Sequence, residues 1–465
     1  MKIRHFVAIV GFLTTSLIYC QDKQISLEDI WSGQFRTEGM QALHSMKNGK
    51  QYSVLNFDRQ TRTASIDIYD YKTLEKVKTL VSSSDLEGIQ GFFDYSFSED
   101  ESKVILTTNS KPVFRRSTLG EFYIYDIASK KVTKVSDDLV QEPTLSPDGT
   151  KIAYGFENNL YVKDLVSGEI EQITSDGEKN KIINGITDWV YEEEFSFVRA
   201  FDWNANSNQI AFIRFDESEV PEFSMDVFGS GLYQTQQVFK YPKAGEANSK
   251  VSLHLYDLSS DKTQELKVDK AYKDFYIPRI KWTTNPDILS VQVLNRHQNN
   301  LDLIFVDAKT KTSKVVLNEK DNAYIDITDN LTFLNDNSFI WTSEKDGYNH
   351  IYHYTPKGEL INQVTKGNWE ITNYYGFDKK NKKILSEILL NVAGVDPRDL
   401  YGHNGKYIKA LRDAYPEVNI NSRGDQIRLS GNKKDTQTVK AKLELMMRIL
   451  REQEELSTQA VTDLI

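Results

Sequence analysis

One cysteine stands in 465 residues, Cys20, and it closes an N-terminal apolar stretch. A mature chain without it has no disulfide and no cysteine metal site, so its stability rests on burial and hydrogen bonding. Catalytic signatures are missing as well. No G-x-S-x-G occurs, and Gly229-Ser230-Gly231 has the wrong spacing, so no serine sits on a strand-to-helix elbow beside a base that could activate it. No G-x-x-x-x-G-K-[ST] loop is present to cradle phosphates. No cofactor and no metal site is therefore expected. His350 and His353 lie three apart on an expected strand, which turns them to opposite faces. Positive charge is also short, with 57 Lys and Arg against 67 Asp and Glu and a net charge of −10. That balance speaks against a general nucleic-acid or anionic-membrane binder, because such proteins concentrate cations to displace phosphate counterions.

No apolar run is long enough to span a bilayer, which takes about 20 residues. Residues 1–21 carry Lys2, Arg4 and His5, then apolar Phe6 to Leu13, then a polar exit. This pattern predicts an export signal and an exported, periplasmic or secreted product. The residue before Cys20 is Tyr19 rather than the small residue that bacterial lipid attachment normally takes, so cleavage is expected in place of lipid anchoring.

From residue 60 onward a unit recurs: an alternating apolar strand often ending in Asp, a polar turn, then a second alternating strand. Ile66-Asp67-Ile68-Tyr69-Asp70, Phe122-Tyr123-Ile124-Tyr125-Asp126, Leu160-Tyr161-Val162-Lys163-Asp164, Leu253-His254-Leu255-Tyr256-Asp257 and Leu303-Ile304-Phe305-Val306-Asp307 are copies, and His350-Ile351-Tyr352-His353-Tyr354 is a sixth. Turn-forming segments such as Ser146-Pro147-Asp148-Gly149 introduce further strand pairs. Four strands per roughly 40–55 residues is the period of a propeller blade. The longer interval between Asp164 and Asp257 predicts an insertion within a blade.

Beyond about residue 385 the pattern changes. Helical spacing appears at Ile408, Leu411 and Tyr415, two short strands flank Ser422-Arg423-Gly424-Asp425, and a long helix is expected from Asp435. Residues 393–465 are close to charge balance, while the acidic excess lies before them. The expectation is thus a mainly β fold: an incomplete six- to seven-bladed β-propeller over 22–385, followed by a small α+β module over 386–465.

Within the insertion, Asp188-Trp189-Val190-Tyr191-Glu192-Glu193-Glu194-Phe195 sets three consecutive carboxylates beside aromatic residues. Neighbouring like charges raise each other's pKa, so a cleft that gathers them has a cation to neutralise, and an α-amino group fits. The competing reading is a solvated acidic helix start favoured by the helix dipole. In the C-terminal part, Gly402-His403-Asn404-Gly405 has the GxxG form by which KH modules clamp a nucleic-acid backbone, followed by Lys406 and Lys409. A plain loop before a helix explains the same residues.

The stretch from Asn184 to Phe195, together with Tyr241-Pro242-Lys243-Ala244-Gly245, resembles the substrate-amine-binding segment of the dipeptidyl peptidase IV family, in the β-propeller that precedes its α/β-hydrolase domain. The likeness runs over about residues 22–385. It implies an eight-bladed ring, of which the match ends where another blade should start. It also implies that Glu193 and Glu194 grip the free N-terminus of a peptide with proline or alanine second, that Arg115 in Phe114-Arg115-Arg116-Ser117 meets a substrate carbonyl, and that the chain can form a homodimer.

Residues 390–456 are similar to the N-terminal KH-like module of PhoH-type ATPases, through Gly394-Val395-Asp396-Pro397, Leu400-Tyr401-Gly402 and Arg423-Gly424-Asp425-Gln426-Ile427. This implies RNA or partner binding through Gly402, Gly405, Lys406 and Lys409. Three readings therefore stand: a non-catalytic, peptide-binding part of an exported prolyl-dipeptidyl peptidase; an RNA- or partner-binding protein; or a recombined or misassembled fusion near residue 385 with no selected function. An export signal fits poorly with a module whose relatives work in the cytosol.

Overall fold

The aspartates that end the repeated strands fold the turns that follow them. Asp70 Oδ1 accepts the backbone N–H groups of Lys72 and Thr73 at 2.8 and 3.1 Å. Asp164 Oδ1 takes those of Val166 and Ser167, both at 2.9 Å, and Asp307 Oδ1 those of Lys309 and Thr310 at 2.9 and 2.8 Å. Asp126 and Asp257 hold Ser129 and Ser259 in the same way. Each carboxylate thus replaces backbone partners that a tight turn cannot supply. The sixth copy ends in Tyr354 and passes this role to Thr355, whose hydroxyl accepts the N–H groups of Lys357 and Glu359.

The computed structural model describes residues 25–465 apart from 38, 40, 269–272, 379–382 and 454. The expected export signal and Cys20 lie outside them. Among the described residues, no helix is long and apolar enough to cross a membrane. The chain divides into two units, Met1–Ser82 and Ser83–Ile465.

The first unit holds a short helix, α1 (Leu27–Trp31), and one antiparallel sheet of β1 (Leu43–Ser45), β2 (Gln51–Asp58), β3 (Thr63–Asp70) and β4 (Lys76–Ser82) in sequential order. Asp67 ties three of these strands together. It accepts from Asn56 Nδ2 and Thr79 Oγ1, both at 2.8 Å, and pairs with Lys76 at 2.9 Å.

The second unit contains six larger sheets and one ribbon among its described residues. The first sheet is β5 (Asp94–Phe97), β6 (Lys103–Pro112), β7 (Thr118–Asp126) and β8 (Val132–Lys134). The next is β9 (Gln141–Leu145), β10 (Lys151–Phe156), β11 (Asn159–Asp164) and β12 (Ile170–Gln172). The third comprises β13 (Ile182–Asn184), β14 (Phe201–Trp203), β15 (Gln209–Asp216), β18 (Lys250–Asp257) and β19 (Lys262–Leu266). Two insertions leave it: helix α2 (Trp189–Glu194) between β13 and β14, and a ribbon of β16 (Glu222–Val227) and β17 (Thr235–Lys240) between β15 and β18. These account for the long interval in the repeat.

The fourth and fifth sheets are β20 (Phe275–Trp282) to β23 (Ser313–Lys320), through β21 (Ile288–Asn295) and β22 (Asn300–Asp307), and β24 (Thr332–Phe333) to β27 (Leu360–Gln363), through β25 (Phe339–Ser343) and β26 (His350–Tyr354). Inward residues of the last three sheets, among them Phe215, Leu289, Ile304 and Trp341, share one apolar core. The whole is mainly β, with seven blade-like sheets of a β-propeller.

The sixth sheet of this unit departs from the sequence expectation. Its order is β28 (Ile371–Asp378), β29 (Lys383–Asn391), β31 (Gln426–Asn432) and β30 (Val418–Arg423). The boundary expected at 385/386 therefore falls inside β29, and the hairpin assigned to the α+β module completes a four-stranded sheet. Register runs unbroken from Leu385 opposite Asn432 to Asn391 opposite Gln426. The two expected helices are present as α4 (Lys406–Ala414) and α5 (Lys433–Gln453), and two short ones that the spacing does not predict flank them, α3 (Pro397–Tyr401) and α6 (Thr458–Leu464). Val439, Leu443 and Met446 of α5 enter one core with Leu390 and Leu429 of the sheet and with Ile340 and Ile351 of the sheet before it. A separate module with its own core is not what the packing shows. The alternation that carries β29 was hidden because Ile388-Leu389-Leu390 is buried or half-buried on both faces and so reads as an uninterrupted apolar run.

Candidate functional site

Helix α2 owes its position to the residues around it. Gly185 has φ of +70°, and a Cβ there would meet Leu160 at 2.6 Å, so only glycine lets the chain turn in so close to β11. Asp188 caps the helix, accepting the Tyr191 N–H at 2.9 Å and the Ser249 hydroxyl on its other oxygen. Burial pushes its carboxyl above the usual range. Tyr191 and Phe195, one turn apart, anchor the helix in the apolar core. The helix ends where Ser196 adopts a left-handed φ of +59°.

The three glutamates do not share one pocket. Successive helical residues point about 100° apart, and each carboxylate has a different environment. Glu192 is fully buried, and its Oε1 accepts the backbone N–H groups of Arg116 and Ser117, the latter at 2.9 Å. Its Oε2 is buried without a hydrogen-bond partner. Glu193 is half-buried and receives Arg115 Nε at 2.9 Å on Oε2 and 3.1 Å on Oε1. Glu194 is exposed, and its charge contributes to a raised Tyr324 pKa, behind burial and Asp326. The crowding inferred from the sequence is thus relieved by direction. Nothing in the sequence sets Glu192 apart from its neighbours, although successive residues about 100° apart cannot all point one way.

Arg115 and Glu193 meet on an aromatic wall. Trp189, one turn before Glu193, lies 4.1 Å from Tyr241 between ring centroids, Tyr241 is 5.3 Å from Phe223, and Phe114 is 5.7 Å from Phe239. These rings, with Arg115 and Glu193, line a groove of about 810 Å³. Two segments distant in sequence, the glutamate helix and the Tyr241 to Ala244 stretch, converge there. Arg116 reinforces the arrangement by donating from Nη2 to Ser196 Oγ at 3.0 Å. The groove therefore offers a carboxylate for a cation, a guanidinium with free donor capacity for a carbonyl, and ring faces for an apolar body.

The C-terminal candidates lie in a different kind of setting. Gly402 and Gly405 have φ of +73° and +71°, and a Cβ on Gly402 would strike Tyr407 at 2.6 Å. They form the chain reversal between α3 and α4. Lys406 donates to Thr458 Oγ1 at 2.9 Å and sits over the Tyr407 ring at 4.7 Å, whereas Lys409 is exposed. The structure brings Gly402, Gly405 and Lys406 into one loop but engages its cation internally.

Residues 98–385 match the family model described as the dipeptidyl peptidase IV (DPP IV) N-terminal region. The solved dipeptidyl peptidase 4 of Porphyromonas gingivalis is 36% identical, with a TM-score of 0.73, over 79% of this chain and 52% of that one. Dipeptidyl aminopeptidase B of Saccharomyces cerevisiae is 31% identical over 293 residues, which is 59% of this chain and 36% of the relative. Dipeptidyl peptidase 4 of Trichophyton tonsurans is 29% identical over 324 residues, 66% of this chain and 41% of the relative. The chain thus spans between a third and a half of the length of these curated relatives.

Proposed function

Because this chain belongs to the dipeptidyl peptidase IV N-terminal-region family, we propose that its groove binds the free N-terminus of peptides with proline or alanine second, in an exported protein. Glu193, on the groove wall, accepts the ammonium, Glu194, exposed at the next position of α2 and outside the groove lining, supplies the second carboxylate, and the outward N–H groups of Arg115 donate to a backbone carbonyl. The observation that carries this reading is the 2.9 Å pairing of Arg115 with Glu193, 78 residues apart in sequence, on a wall of aromatic rings.

The pair is well suited to exchange partners. Arg115 is largely exposed, with 72% of its side chain accessible, and ion pairs of this kind contribute only about 0–1 kcal/mol. A peptide ammonium can therefore take a share of Glu193 without a large cost. Glu192 holds the loop that carries Arg115, so the donor and the acceptor keep a fixed spacing. Recognition is the role these 465 residues supply; hydrolysis needs an activated nucleophile, and no G-x-S-x-G provides one among them.

Calorimetric titration with an alanyl-prolyl tripeptide tests this. The double variant Glu193→Gln/Glu194→Gln is expected to bind at least about tenfold more weakly than wild type, a difference of about 1.4 kcal/mol. Equal binding by the two proteins would remove the amine from this site. The C-terminal loop gives no second reading, since its glycines serve the backbone and Lys406 is held by Thr458 and Tyr407.

A further inference from the structure

Behind the aromatic wall lies a second cavity, also of about 810 Å³, which shares Phe114, Trp189 and Phe239 with the groove but not Arg115 or Glu193. Apolar Leu119, Ile183 and Ile186 line it beside polar residues such as Asn158, Asn180 and Gln237, and Glu217 is part of the lining. Glu217 is only 6% exposed, and no hydrogen bond or ion pair engages its carboxyl among the described residues, while its oxygens are not among the atoms fully closed off from solvent. A buried acid left in this condition is costly, and native folds normally give it a partner.

The surrounding charges do not provide one. Asp188, from the cap of α2, is already satisfied by Tyr191 and Ser249, and it repels a second negative charge. Lys240, on β17, is the nearby cation, but its ammonium donates to the Val220 carbonyl at 2.8 Å and faces Glu222 at 3.7 Å. Asp216, next in sequence on β15, adds further repulsion. Asp138, Glu157 and Glu178 also line the cavity, with Lys179 as the one other lysine. The lining therefore combines apolar and aromatic side chains with polar ones and carries more carboxylates than lysines.

We propose that this cavity is a binding site for a hydrophobic organic cation, an ammonium or guanidinium on an apolar stem, with Glu217 as its counter-ion. The stem lies against Ile183, Ile186 and the rings, whose faces also attract a cation. The charged head donates to Glu217 and completes the hydrogen bonding that the protein leaves open. The site adjoins the peptide-amine groove across the shared rings but has its own carboxylate, and it does not depend on that reading.

Protonation gives the site a signature. Burial, then Asp188, pushes the Glu217 carboxyl up to about 7. Below that pH the acid is largely neutral, so a cationic ligand must displace its proton, and affinity rises with pH up to about 7 and levels off above it.

The test uses the full chain and 4-phenylbutylamine, with 4-phenylbutanol as the uncharged counterpart. Calorimetry at pH 6 in two buffers of different ionisation heat is expected to show release of most of one proton per amine bound. The amine should bind at least tenfold more tightly than the alcohol at pH 8, and Glu217→Gln should abolish both the preference and the proton release. Glu193→Gln and Glu194→Gln should leave amine binding within twofold of wild type. Equal binding of amine and alcohol, no proton release, unchanged binding in Glu217→Gln, or loss of binding in Glu193→Gln would each overturn the proposal. A thermal melt of Glu217→Gln establishes that the variant is folded.

Discussion

The glutamate helix at 189–194 and the glycine loop at 402–405 both stand out in the sequence as binding motifs, and the fold uses them in opposite ways. The helix reaches outward: Glu192 and Glu193 fasten on Arg115 to Ser117, and Trp189 meets Tyr241. The loop stays on the surface and local, its glycines answering to backbone geometry and its exposed first lysine to Thr458. A motif becomes evidence for a site when distant residues are organised around it. Three consecutive carboxylates carry little information alone; a buried one that clamps the loop of an arginine, beside a second that pairs with that arginine, carries much more.

The contrast can be broken or sharpened by substitution. The largest effect should come from the C-terminal side, where the segment is structural. Leu443 is fully buried in the core that joins α5 to the two preceding sheets, and Leu443→Ala should cost about 2–5 kcal/mol. Urea denaturation followed by circular dichroism reads this, and a cost near zero would restore a loosely attached module.

Next comes Glu192. Replacement by Ala strands two backbone N–H groups in a buried place and should destabilise by about 2–4 kcal/mol. Glu192→Gln keeps an acceptor for both donors and puts an amide where Oε2 now has no partner, so it should cost far less. If Ala and Gln variants behave alike in denaturation, the clamp is not what holds the Arg115 loop.

Glu217 gives a smaller, pH-dependent effect. Its folded pKa lies above the ordinary 4.5, so the fold holds this proton more tightly than the unfolded chain does. Its contribution therefore becomes unfavourable as pH rises from about 4.5 to 7, and the full penalty is present above that window. Glu217→Gln removes it, and should stabilise the protein by roughly 1–3 kcal/mol at pH 8 and by little at pH 4.5. Thermal melts at the two pH values measure the difference, and a stabilisation independent of pH would contradict the assignment. The smallest effect is expected at exposed Lys409, where Lys409→Ala should change stability by no more than about 0.5 kcal/mol and leave peptide titrations unaltered.

Much of the fold could be read from residue order because the blade repeat is local. Alternating strands, Asp-ended turns and the displaced interval after Asp164 all act within a few tens of residues. The sixth sheet of the second unit was not readable in the same way, since β29 pairs with β31 across 34 intervening residues, and pairing at that distance leaves no periodic trace. The same limit applied at the groove. The family resemblance points to Glu193, Glu194 and Arg115, while the place of Glu192 and the joining of Trp189 to Tyr241 depend on how helix and ribbon meet. Helical geometry alone, at about 100° per residue, limits how many of Glu192, Glu193 and Glu194 can face one cation, and Glu192 is the member turned away, to the Arg116 and Ser117 N–H groups.

The most direct measurement is a paired calorimetric titration of the wild-type chain with an alanyl-prolyl tripeptide and its N-acetylated form. Recognition of the ammonium by Glu193 and Glu194 predicts saturable binding of the free peptide and at least tenfold weaker binding once the amine is capped. Matching affinities for the two peptides would show that the groove does not read a peptide's N-terminus.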